Sequence, residues 1–132
     1  MSKTVTMILR SGSTENDDAN FCMELAEAIL SRGDGVNIFL YGNACNLGSK
    51  PVPYDGRSPI SDALREHMDS FMLSEKIEGI IAKGGKIATC HTTEYSRGIE
   101  GLDYLEGVEW GDVGNTFNRY LLSTDLLISI GR

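Results

Sequence analysis

The sequence is poor in basic residues, cysteine, histidine, proline and tryptophan. Twelve Lys and Arg stand against nineteen Asp and Glu, a formal charge of −7 over 132 residues. Nucleic acid needs clustered cations for its phosphates, and no basic stripe occurs, so it is excluded as a partner. The opening segment has no apolar run as long as a signal h-region or a membrane span, which predicts neither secretion nor a membrane. Three cysteines, Cys22, Cys45 and Cys90, form no CxxC and no even-numbered framework. They are expected as reduced thiols of a cytoplasmic protein. With two histidines, His67 and His91, and no ligand spacing, no metal site is predicted. No G-x-G-x-x-G follows the first strand, no G-K-S/T occurs and no serine sits in a nucleophile elbow, so no nucleotide cofactor and no serine hydrolase is predicted.

What is present is an ordinary globular composition, 41% hydrophobic and 23% charged, with fifteen glycines for turns. The length suits one domain, residues 1–132, with a real core. Residues 3–9 (KTVTMIL) are β-branched and apolar and read as a buried strand. A helix is expected from Asn16 or Asp17, with Phe21, Cys22, Leu25, Ala26 and Ile29 on one face and "SRGDG" stopping it. Residues 36–41 (VNIFLY) give a second strand. The next stretch, 42–59, holds all three prolines and is read as a long mobile loop with an exposed Cys45.

Helices are expected over 60–71 and 74–83, a third strand over 86–89 with Cys90 at its carboxyl end, and a short helix over 95–99. A turn near 102–105, a strand over 108–110, a helix over 115–123 and a closing strand over 125–130 complete the chain. Strands alternating with helices predict a three-layer α/β sandwich, a mainly parallel sheet of about five strands with helices on both faces.

In such sheets chemistry collects outside the carboxyl ends of the strands. Cys45 and Cys90 fall on that rim, whereas Cys22 belongs to a helix face with Leu25 and Ile29. A helix starting after Cys90 would aim backbone N–H groups and a positive dipole end at its sulfur, which favours the thiolate. A buried cysteine that merely caps a strand is the plain alternative. His91 and Arg97 could add positive potential, and Arg97 could equally be a surface residue beside the Gly98 stop. Cys45 could be a second, relaying thiol or a spectator.

The spacing C-HTTEYS-RG, Cys90 followed by Arg97-Gly98, resembles the DsrE/TusD branch of the DsrE/F-like family. "RSGSTENDDANFCMELAEAILSRGDGVNIFLYGNA" is similar to that family's first strand, loop, helix and second strand, and "STDLLISIG" to its closing strand. Cys45 matches no motif of the family. The resemblance implies a compact α/β fold, homo- or hetero-oligomeric assembly with related subunits, and sulfur transfer between donor and acceptor proteins through a persulfide on Cys90. Two other readings stand beside it: a non-catalytic assembly subunit, and a flavodoxin-type binding domain with "SGSTEND" as anion loop and Trp110 as stacking ring.

Overall fold

A computed structural model describes residues 1–13, 17–51, 62–70, 72–100 and 103–131. Five strands form one sheet: β1 (Thr4–Leu9), β2 (Gly35–Leu40), β3 (Lys86–Cys90), β4 (Glu109–Gly111) and β5 (Leu126–Ile130). Their order across the sheet is β4-β3-β2-β1-β5, and all four pairings are parallel. The α/β sandwich expected from the alternating pattern is the fold.

The sheet divides its side chains between two layers because successive residues of a strand face opposite ways. Met7, Leu9, Ile38, Leu40 and Ile87 face helix α1 (Asp18–Ser31) and helix α3 (Ser74–Ala82), in the larger buried cluster. Cys22 is buried in this layer, and burial pushes its thiol up to about 12, as core packing requires. Ile8, Phe39, Ala88 and Cys90 face the other way, against Phe117 and Tyr120. Those two rings come from a π-helical turn, Val113–Phe117, that runs into helix α5 (Asn118–Leu122). Asp112 starts the turn by accepting the backbone N–H groups of Asn115 at 2.6 Å and Thr116 at 3.2 Å.

Several boundaries differ from expectation. The strand placed at 108–110 runs one residue later, and the helix placed at 115–123 begins as the π turn. Helix α2 covers Asp62–Asp69, inside the expected 60–71. The largest difference concerns the stretch read as a mobile loop. Its first seven residues, Gly42–Gly48, form a 3₁₀ helix whose Ala44, Cys45 and Leu47 are buried. Glycine and asparagine there look like loop residues, yet the segment is held by Leu105 N–H donating to the Gly48 carbonyl at 2.8 Å and by Thr89 at Cys45. Positions 52–59 of that stretch, and 14–16 of the "SGSTEND" segment, lie outside the described residues.

Candidate functional site

Cys90 closes β3, pairs with Gly111 of β4, and is followed at once by helix α4 (His91–Ser96). The helix expected at 95–99 therefore starts four residues earlier, and Cys90 is its N-cap residue. Thr93 donates to the Cys90 carbonyl at 3.0 Å. After Arg97, Gly98 adopts φ +71, the left-handed conformation that ends α4, and Ile99 N–H returns to the Glu94 carbonyl at 3.0 Å. The Arg-Gly pair after Cys90 is thus the helix stop. Gly111 admits no side chain, since a Cβ would lie 2.8 Å from the Thr116 hydroxyl. That close approach brings the π turn down beside Cys90. Cys90 as a whole is 1% exposed, so a reagent reaches its thiol only if the cover over it moves.

Cys45 is buried too, which corrects the exposed loop position expected for it. Its carbonyl accepts from the Thr89 hydroxyl at 2.9 Å, and Thr89 also lies 2.8 Å from Glu94 Oε1. Burial pushes the Cys45 thiol up. A hydrogen bond with Thr93 and the charge of Arg97 draw it down, while Glu94 and Cys90 raise it further. The positive charge of Arg97 is therefore felt at Cys45.

Glu94 is the residue that sequence reasoning missed. It is 0% exposed, and the Tyr104 hydroxyl donates to its carboxyl group, 2.9 Å from Oε1 and 2.8 Å from Oε2. Burial first, then Glu94, pushes the Tyr104 hydroxyl up. Among the described residues no lysine or arginine pairs with Glu94, so hydroxyl groups alone hold it. "HTTEYS" has no apolar residue to mark an inward face. A helix packed against a sheet must nevertheless bury one side, and that was the available signal.

His91 faces outward. Its ring stacks on Trp110, with centroids 4.0 Å apart and planes inclined 21°, and its Nδ1 is 3.7 Å from Glu100 Oε1. These residues, with Thr92 and Tyr95, line an open groove of about 380 Å³ beside the β3 end. His67 sits on an exposed helix position. Among the described residues no cluster of His, Cys, Asp and Glu could hold a metal ion, and no helix is long and apolar enough to cross a membrane.

The parallel five-stranded sheet, in the order β4-β3-β2-β1-β5 with Cys90 at the end of its third strand, belongs to a fold that solved structures of low sequence identity share. The chain is similar to the solved structure of YchN from E. coli, at 21% identity and TM-score 0.73, over 98% of this chain and 99% of that one. It is also similar to MTH1491 from Methanobacterium thermoautotrophicum, a protein of unknown function, at 15% identity and TM-score 0.65 over 98% and 99% of the two chains. BT1422 from Bacteroides thetaiotaomicron, likewise of unknown function, aligns at 16% identity and TM-score 0.53 over 95% and 93%. No family model and no curated protein matches the sequence.

Proposed function

We propose that the chain is a sulfur-relay protein that carries sulfane sulfur as a persulfide on Cys90. The observation that carries this reading is the position of Cys90, last residue of β3 and N-cap of α4, on the rim where α/β sheets place their chemistry. The spacing from Cys90 to Arg97-Gly98 and the shared fold support it. The Cys90 thiolate attacks the outer sulfur of a donor persulfide; a new S–S bond forms, the donor's S–S bond breaks, and the donor leaves as a thiolate. A partner cysteine then takes that sulfur by the same displacement. All three cysteines are free thiols, which suits a reducing compartment such as the cytoplasm.

Mass spectrometry after incubation with a persulfide donor tests the reading. One added sulfur, about 32 Da, is expected in the parent and in Cys22→Ser, and none in Cys90→Ser. A gain that survives Cys90→Ser sinks the assignment. The burial of Cys90 favours one second reading, a non-catalytic assembly subunit with an inert cysteine. A Cys90 that no persulfide or alkylating reagent modifies in the folded protein is the result that supports it.

Both readings imply assembly with identical or related subunits. Strand β5 lies at the edge of the sheet, yet its Leu126 and Leu127 are 53% and 47% exposed, and Leu121 and Leu122 of α5 are exposed just before it in the chain. Edge strands are normally blunted by charge or covered, and a second copy of this chain covers an apolar edge on both. Light scattering at micromolar concentration is expected to give a multiple of the 14.4 kDa chain mass; a single-chain mass refutes it.

A further inference from the structure

The cluster around Cys90 contains one polar atom with nothing to bond. Tyr120 is 3% exposed and packs with Phe39, Ala88 and Cys90. Its hydroxyl has no hydrogen-bond partner among the described residues. A buried hydroxyl left so has given up its hydrogen bonds to water without replacing them, and native proteins keep few such groups without a use for them. Ala88 and Cys90 lie two residues apart on β3 and project from one face of the sheet. Phe39 is the register partner of Ala88. Tyr120, with its unbonded hydroxyl, and Cys90 therefore belong to one buried cluster between the sheet and α5.

Burial pushes the Tyr120 hydroxyl up, and Glu109 adds to this against the opposing charge of Arg119. The group keeps its proton and is available to donate. A sulfur added to Cys90 extends the side chain by an S–S bond of about 2 Å. Once its proton has passed to solvent, the terminal sulfur carries the negative charge and is stabilised by a hydrogen-bond donor.

We propose that the Tyr120 hydroxyl donates a hydrogen bond to the terminal sulfur of a Cys90 persulfide and so stabilises the loaded protein. This rests on the sulfur-relay reading. The step adds no redox requirement. The Cys90 thiolate and a donor persulfide become a Cys90 persulfide and a donor thiolate, and the hydrogen bond acts on the product.

The test is Tyr120→Phe, measured twice. In the unloaded protein the urea midpoint should stay the same or rise, because the change removes an unpaired polar atom and keeps the ring. After loading with glutathione persulfide, the half-life of the added sulfur on Cys90, followed by mass spectrometry, should fall about tenfold, the scale of one hydrogen bond to a charged acceptor. Equal half-lives in parent and variant overturn the proposal and leave the relay reading standing. A drop in the unloaded midpoint overturns it too, since the hydroxyl would then already be bonded within the fold. A parent that takes up no sulfur sinks the relay reading itself.

Discussion

Cys90 and Cys45 stand at the same edge of the sheet, in neighbourhoods built on opposite principles. Cys90 lies among Phe39, Ala88 and Tyr120, with Phe117 packed against them, and the only polar side-chain atom of that group has no partner. Cys45 lies beside Thr89, Thr93, Glu94 and Tyr104, whose hydroxyl and carboxyl groups bond one another or the backbone. Directional bonds hold the second neighbourhood in one geometry. Dispersion and apolar burial hold the first, and they tolerate rearrangement at smaller cost. The contrast separates two kinds of neighbourhood: a compartment that can open around Cys90, and a rigid clamp that ties α4 to the 3₁₀ helix and so fixes the backbone that follows Cys90.

The sharpest way to break the contrast is to remove the centre of the clamp. Glu94→Ala leaves the Tyr104 hydroxyl short of an acceptor inside the fold and the Thr89 hydroxyl with the Cys45 carbonyl alone, and a loss of about 3 kcal/mol in urea unfolding is expected from that and the emptied buried volume. Glu94→Gln keeps a neutral group of the same shape, so its loss should be nearer to about 1 kcal/mol. Equal, negligible losses would show that the carboxyl group holds nothing in place. The smallest effect belongs to Cys45→Ser. Its thiol is pushed up by burial, so sulfur loading on Cys90 should be unchanged, and mild oxidation followed by digestion should yield no Cys45–Cys90 linked peptide. A linked peptide together with reduced loading would make Cys45 a second relay thiol and join the two neighbourhoods into one.

The sheet was legible because its strands are written as apolar, β-branched runs between turn residues; TVTMIL and LLISI need no tertiary information to be recognised. The position of Cys90 at a strand end followed from that. The clamp was not legible. Cys45 sits in a Gly- and Asn-rich segment that local chemistry assigns to a loop, and its burial comes from Thr89, 44 residues later. Glu94 belongs to an all-polar helix with no periodicity, and its partner Tyr104 is fixed by a single bridge to Ser49. The π turn that covers Cys90 has no sequence signature, and depends on the bare Gly111 and the Asp112 cap.

The strand order has a consequence for the order of synthesis. β5 pairs with β1, and Asp125 reaches back to Thr4, which donates its N–H to the carboxylate at 2.8 Å. Residues 4–9 leave the ribosome before the other strands of the sheet and can pair with β2 about thirty residues later. Their other edge waits for residues 126–130. At translation rates of about 5–20 residues per second, that apolar edge stays open for roughly 6–25 s. During that interval the nascent chain presents a ready template for another unfinished copy, and a chaperone that shields the amino-terminal strand would be most useful before the last strand emerges.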